Sequence, residues 1–265
     1  MIRKPAVAGY FYPRDPLRLR EQIEQYILPR AQKIKAIAAV SPHAGYVYSG
    51  SVAGAVYSHL QIPQKVVLLG PNHTGMGARA SIMTQGTWIT PLGEVKVDEE
   101  LALEILENSQ FLKENAQAHS AEHSLEVQLP FLQYFRPDIK IVPIVLMGTS
   151  FEMAQEIGQA LAKTLKNGET LIISSTDMSH YEPQEVAAKK DQAAIEAILD
   201  LDPQALYQRV IQENISMCGV MPTVAALVAS LLLGAEEAKL VNYTTSGDVT
   251  GDYSQVVGYA GVVIH

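Results

Sequence analysis

Four short runs of almost unbroken apolar residues constrain the fold of this chain most strongly. They are "IKAIAAV" (34–40), "KVVLLG" (65–70), "IKIVPIVLMG" (139–148) and "TLIISST" (170–176). Strands that are covered on both faces have this composition, because neither face of the sheet meets water. The runs therefore predict an α/β fold with a mainly parallel or mixed sheet sandwiched by helices.

Segments with helical spacing alternate with these runs. They cover residues 49–60, 98–109, 121–135 and 150–167, and three more helical patterns precede two closing strands, "KLVNYTTS" and "YSQVVGYAGVVIH". This alternation indicates βαβ units. Residues 79–98 carry turn signals at Gly86 and "PLG", so we expect an inserted hairpin there. We find no repeat or linker, and we predict a single domain over residues 1–265.

Charge and composition exclude several classes of partner. The chain has 20 Lys and Arg against 28 Asp and Glu, and its net charge of −8 does not attract nucleic acid or anionic lipid. Its longest apolar stretch, residues 224–235, is shorter than the roughly 20 residues of a membrane span, so we expect a buried helix. Cys218 is the only cysteine. A lone thiol and the lack of a secretory signal core near the start predict a cytoplasmic protein.

Side chains that can bind metal or transfer protons follow three of the predicted strands. His43 lies in "PHAGY", His73 in "PNHTG", and both Asp177 and His180 in "DMSHY". One such histidine is usually an ordinary loop residue. Ligands in doubly wound folds, however, bind beyond the carboxyl ends of the strands, where these loops converge. Because imidazole is the commonest transition-metal ligand, we predict a shared site that contains His43 and His73.

Cys218 is a further candidate. It lies shortly before Pro222, a residue that suits the first turn of a helix. The N-terminus of a helix favours a thiolate over a thiol. Three roles remain open from the residues alone: a metal ligand, a nucleophile beside His180 and Asp177, or an inert buried thiol.

The segment "AHSAEHSLEVQLP" carries His119, Glu122, His123 and Glu126. On a helix, His123 and Glu126 share one face, and so do Glu122 and Glu126. His123 and Glu126 are therefore candidates for a second pair of metal ligands, or for residues that orient the ligands. A solvated helix face is the alternative interpretation.

Longer motifs, taken together and in order, resemble the Memo family (mediator of cell motility). They are "RKPAVAGYFYP", "PHAGYVYSG", "LGPNHTG", "AEHSLEVQLPFLQ", "SSTDMSHY" and "CGVMP", and the resemblance runs from Arg3 to the closing "YAGVVIH". Bacterial and archaeal members are named AmmeMemoRadiSam system protein B. The resemblance implies a fold like that of class III extradiol dioxygenases, whose non-haem iron is held by two histidines and a carboxylate.

The resemblance also implies roles for single residues. His43 and His73 match the two metal-binding histidines of the family, and Cys218 matches the cysteine that stands where the dioxygenases have glutamate. His180 matches the acid/base histidine, and Asp177 is expected to line the same pocket. One transition-metal ion is expected, Fe(II) or Cu, while a thiolate ligand also suits Zn.

The function expected from these residues is a metal-dependent oxidoreductase that acts on a small molecule. The alternative is a metal-handling or peptide-binding protein that uses the same pocket without turnover. A hydrolase built on Cys218, His180 and Asp177 is disfavoured, because it leaves His43 and His73 without roles. The system name of the family suggests AMMECR-type and radical-SAM proteins as partners, and neither nucleic acid nor a membrane is expected.

Overall fold

Twelve strands form one mixed sheet in the computed structural model, which describes residues 1–265. The strands are β1 (Ile2–Arg3), β2 (Ala38–Ser41), β3 (Lys65–Pro71), β4 (Ala80–Ile82), β5 (Thr87–Thr90), β6 (Gly93–Val97), β7 (Lys113–Glu114), β8 (Lys140–Leu146), β9 (Thr170–Ser175), β10 (His180–Glu182), β11 (Ala238–Thr245) and β12 (Val256–Ile264). Their main order is β1-β5-β6-β8-β3-β9-β2-β12-β10.

The four apolar runs form the centre of this sheet. β8, β3, β9 and β2 are neighbours, and each pair is parallel. The closing strand β12 pairs antiparallel with β2, and β11 and β10 pair antiparallel with β12. The predicted mixed sheet is therefore confirmed. The predicted insertion contains the β5–β6 hairpin, which turns at residues 90–93.

Helices flank the sheet. They are α1 (Pro16–Tyr26), α2 (Tyr46–His59), α3 (Glu99–Asn108), α4 (Leu129–Phe135), α5 (Phe151–Thr164), α6 (Gln184–Leu199), α7 (Pro203–Gln212), α8 (Val220–Leu232) and α9 (Gly247–Thr250). The side chains of Asp15, Asp98, Ser150 and Asp202 accept a backbone N–H at the starts of α1, α3, α5 and α7. Such caps satisfy donors that have no partner inside the helix.

The long apolar stretch near the C-terminus lies in α8, which is buried along most of its length. It packs against α5, α7 and the central strands, as a helix that is apolar on all sides must. No helix of the protein is both long and apolar enough to cross a membrane.

The prediction of a continuous helix over residues 121–135 is wrong at its start. Residues 121–123 are irregular, residues 124–125 form a turn, a 3-10 turn covers Glu126–Gln128, and α4 begins only at Leu129. Pro130 lies in the first turn of α4, where its missing backbone N–H costs no hydrogen bond of the helix. His123 and Glu126 therefore do not share a helix face.

Candidate metal centre

Three neighbouring strands deliver polar side chains to one edge of the sheet. Each side chain stands two residues beyond the end of its strand: His43 after β2, His73 after β3 and Asp177 after β9. The strands are parallel and in register, so their carboxyl ends lie together. This is the convergence that the sequence predicts.

Cys218 reaches the same edge from the segment before α8. Gly219 makes this possible, because a Cβ atom there would clash with Cβ of Thr176 and with the Ser175 carbonyl. The Gly219 backbone N–H also donates to Oγ1 of Thr176 at 2.9 Å. Only glycine allows so close an approach between this segment and the end of β9.

His43, His73 and Cys218 can share one ion. One ligand atom of each lies within 4.8 Å of the others, and Cys218 Sγ is 3.3 Å from His43 Nε2. Metal–nitrogen and metal–sulfur bonds of about 2.0 and 2.3 Å at a tetrahedral angle separate N and S by about 3.5 Å. The observed spacing fits that geometry closely.

The hydrogen bonds around His43 fix its tautomer. Ser175 Oγ donates to the Ser124 carbonyl at 2.6 Å and accepts from Gln128 Nε2 at 2.8 Å. A hydroxyl has one proton, so its contact of 3.0 Å with His43 Nδ1 is a bond that Nδ1–H donates. Nε2 therefore keeps the lone pair that faces Cys218. Burial lowers the pKa of His43 well below its ordinary value, so the ring is neutral and able to bind a metal.

Glu122 fixes the tautomer of His73 in the same way. Its carboxylate accepts from His73 Nδ1–H at 2.9 Å and from the His73 backbone N–H. Burial alone raises the pKa of Glu122, but hydrogen bonds from His73 and from the Ser124 N–H outweigh burial and bring the pKa to about 2. The ionised carboxylate keeps the proton on Nδ1 and leaves Nε2 free, as is usual for metal-binding histidines.

The position of Cys218 before a helix predicts a thiolate, but its surroundings favour the neutral thiol. Burial, followed by the nearby charge of Asp177, raises the pKa of the Cys218 thiol to about 12. The Asp177 backbone N–H donates to Sγ at 3.3 Å, but this bond does not offset burial. The thiol is neutral until a cation binds, and a metal ion is the cation that this geometry admits.

Asp177 and His180 do not form a hydrogen-bonded pair. Asp177 Oδ1 accepts the His43 backbone N–H at 2.7 Å and so joins the end of β9 to the His43 loop. His180 begins the edge strand β10, and its Nδ1 lies 3.0 Å from the Ser216 carbonyl. A carbonyl only accepts, so Nδ1 carries a proton and Nε2 takes no part in this bond.

His123 joins the site, whereas Glu126 does not. The His123 ring centroid lies 4.7 Å from that of His73 and 5.5 Å from that of His43. Glu126 instead accepts from Arg3, from the backbone N–H groups of Ala6 and Val7 at 2.7 and 3.0 Å, and from the Tyr12 hydroxyl at 2.6 Å. It anchors the N-terminal segment rather than a candidate metal ligand.

Sequence reasoning missed the role of Glu122. It also missed Arg3, whose guanidinium donates to the Glu122 carbonyl at 2.6 Å and to the His119 carbonyl at 3.1 Å. Phe11 was missed too, and its ring lies 4.9 Å from that of His123. The charged residues of "AEHSLE" and of "RKPAVAGYFYP" could have indicated these contacts. In the sequence alone they look like exposed residues, because nothing shows that the two segments lie side by side.

Comparison with known proteins agrees with this architecture. A family model described as Memo-like protein matches residues 3–263. The "MEMO1 family protein" of Aquifex aeolicus is 47% identical over 99% of this chain and 98% of its own length. The "MEMO1 family protein MJ0403" of Methanocaldococcus jannaschii is 46% identical and covers 99% of both chains.

A solved structure shares the fold. The uncharacterized protein JW3007 from Escherichia coli K12 superposes with a TM-score of 0.58 over 85% of this chain and 98% of its own, at 15% sequence identity. At that identity the likeness concerns the fold alone. The family match and the near full-length relatives show that this chain belongs to the Memo family.

Proposed function

We propose that this protein holds one transition-metal ion with His43, His73 and Cys218 and uses it as an oxidoreductase that acts on a small molecule. The observation that carries the proposal is the convergence of three ligand atoms within 4.8 Å of one another. Two imidazoles with free Nε2 atoms and one thiol suit Cu, Zn and Fe(II). We favour Fe(II) or Cu, because Zn does not change its oxidation state.

When bound, such an ion would supply Lewis-acid and redox chemistry for a small-molecule substrate. The protein supplies orientation and proton transfer. Glu122 and Asp177 fix the positions of His73 and His43. His180 is the acid/base group of the proposal, because its Nδ1 is bonded to the carbonyl of Ser216, two residues before Cys218, and this leaves Nε2 for proton transfer.

An open groove next to β10 offers space for a small molecule. It has a volume of about 430 Å³, and its lining includes the rings of Tyr48, Tyr181 and Tyr259. Tyr181 directly follows His180 in β10, although His180 itself is not among the residues that line the groove. Aromatic side chains bind organic molecules through both apolar and polar contacts.

The same groove favours a second candidate function. An open groove lined by tyrosines also suits a peptide. A protein that only binds and transfers metal ions, in turn, would need no acid/base group such as His180. In that case the site binds without turnover. The system name of the family suggests AMMECR-type and radical-SAM proteins as partners, and the free thiol of Cys218 suits a reducing cytoplasm.

Anaerobic purification, metal analysis and an oxygen-consumption assay distinguish these functions. Oxidoreductase function predicts one metal equivalent per chain and turnover of electron-rich small molecules by the loaded protein, with none by the metal-free protein. Stoichiometric metal without turnover under any oxygen condition would favour the metal-handling alternative. If the protein takes up no transition metal, the oxidoreductase function and the metal-handling function are both ruled out.

A further inference from the structure

Tyr181 has a backbone conformation that residues with bulky side chains rarely adopt. Its φ angle is 58°, which lies in the left-handed region. The residue stands in β10 at the point where the pairing register with β12 shifts. Its side chain is 73% exposed, so packing in the core does not hold it there. Strained residues of this kind cluster at sites that bind ligands.

Tyr181 is one of three tyrosines that line the open groove next to β10. Tyr48 comes from α2 and Tyr259 from β12, and we call the space that they share with Tyr181 the tyrosine groove. The three rings therefore belong to three different elements of the fold. The faces of aromatic rings carry partial negative charge, and they attract cations.

The hydroxyl group of Tyr259 has no hydrogen-bond partner within the protein, although the residue is only 2% exposed. The other buried tyrosines are Tyr12, Tyr46 and Tyr57, and each of their hydroxyl groups donates to a protein oxygen at 2.6 to 2.8 Å. Buried polar groups nearly always have a partner. The Tyr259 hydroxyl is therefore available to a molecule in the tyrosine groove.

The lining of the tyrosine groove carries one charge, and it is negative. Asp252 is the only charged residue of the lining. Its carboxylate accepts from the hydroxyl and the backbone N–H of Ser254 at 2.7 and 2.9 Å, and these bonds lower the pKa of Asp252. The chain contains no Lys or Arg after Lys239. The amine of Lys190 beside β10 is bonded to the Glu182 carboxylate at 2.6 Å, so it is not free to bind an anion.

A cation that carries apolar groups matches this lining best. Aromatic rings are the usual binding surface for alkylated ammonium groups, because the attraction needs no fixed hydrogen-bond geometry. An anionic ligand would meet the charge of Asp252 and no cation. A neutral ligand would gain only apolar contacts and hydrogen bonds to hydroxyl groups.

We propose that the tyrosine groove binds the ammonium group of an organic amine, with Tyr181 as an aromatic contact and Asp252 as the counter-ion. The inference rests on the proposed function in one respect, because it makes the small-molecule substrate an amine. Binding of the ammonium group itself needs neither a metal ion nor turnover.

Calorimetric titration of the metal-free, full-length protein tests the proposal. The probes are choline and its neutral carbon analogue, in which a tert-butyl group replaces the trimethylammonium group. Each ring that contacts the cation should favour choline about two- to fivefold, and the rings together about tenfold. Tyr181→Leu should reduce this preference about two- to fivefold, whereas Tyr181→Phe keeps the ring and should preserve it. Tyr10→Leu is the matched control, since Tyr10 is exposed and lies outside the groove.

Asp252→Asn provides a second measurement, because asparagine keeps an acceptor for Ser254 but has no charge. It should weaken choline binding about two- to fivefold and leave binding of the neutral analogue unchanged. Asp200→Asn, at an exposed position of another segment, is the control.

The outcomes separate this inference from the proposed function. Equal affinities for the two probes, or equal choline binding by Tyr181→Leu and Tyr10→Leu, would overturn the amine site and leave the metal centre untouched. Equal choline binding by Asp252→Asn and Asp200→Asn would overturn the role of the counter-ion. A preference for choline in a protein that takes up no metal would refute the proposed oxidoreductase but support the amine site.

Discussion

Nδ1 of His73 lies 2.9 Å from Oε1 of Glu122, so a buried carboxylate sets the direction in which this imidazole presents its lone pair. Arg3 in turn donates to the Glu122 carbonyl at 2.6 Å. The N-terminal strand thus supports the side chain that orients His73, a proposed metal ligand. Groups of this kind tune metal affinity even though they do not touch the ion.

Glu122→Gln should lower the metal affinity of the protein about 10- to 100-fold. The glutamine amide nitrogen cannot accept a hydrogen bond, so one N–H of His73 loses its acceptor and the Nδ1–H tautomer is no longer enforced. Competition with a chelator of known affinity measures the effect. Glu104→Gln, which makes the same change at an exposed position of α3, is the control. Equal affinities of both variants would contradict the role of Glu122.

Arg3→Met should destabilise the fold by about 3 to 5 kcal/mol, because it leaves the buried carboxylate of Glu126 without its cation. Urea unfolding measures the free energy of unfolding directly. Lys4→Met changes an exposed neighbour, and it should alter stability by no more than about 0.5 kcal/mol. If Arg3→Met and Lys4→Met change the free energy of unfolding by the same amount, the ion pair between Arg3 and Glu126 does not stabilise the fold.

Metal affinity should rise with pH. Burial and Asp177 raise the pKa of Cys218 to about 12, so at neutral pH the thiol is protonated and must lose its proton when metal binds. One released proton gives about a tenfold gain in affinity per pH unit, above about pH 7 and below the thiol pKa. Titration calorimetry in buffers of different ionisation enthalpy counts the protons. Cys218→Ser should bind more weakly, lose this pH dependence and shift its preference away from soft metals.

His180→Ala should retain the metal but lose turnover by about 10²- to 10⁴-fold, since proton transfer by a positioned side chain contributes that much. His43→Ala should lose metal and activity together. Metal analysis and steady-state assays of both variants, run in parallel, separate the two roles. Loss of metal from His180→Ala to the same extent as from His43→Ala would make His180 a ligand and end the proposed division of labour.

The central sheet and the strand-end histidines follow from local features of the sequence. Runs such as "KVVLLG" are apolar because both faces of β3 are buried, and a residue just past the end of such a strand must lie at the edge of the sheet. His43, His73 and Asp177 could be placed together on that basis alone.

The support around these residues could not be predicted in the same way. Glu126 binds Arg3, which lies 123 positions away, and no local pattern encodes that contact. Helical periodicity across residues 121–135 suggested a shared face for His123 and Glu126. Hydrogen bonds to two distant segments instead turn Glu122 toward His73 and Glu126 toward Arg3. β1 and β10 are too short to show any strand pattern.

X-ray absorption on protein loaded with one equivalent of metal tests the central claim most directly, because it identifies the ligand atoms without any assay of turnover. With Zn(II), we expect one sulfur neighbour at about 2.3 Å and two imidazole nitrogens at about 2.0 to 2.1 Å. Cys218→Ser should remove the sulfur neighbour, and His43→Ala should remove one imidazole. A spectrum of the parent protein with no sulfur neighbour would contradict the claim that His43, His73 and Cys218 hold the ion.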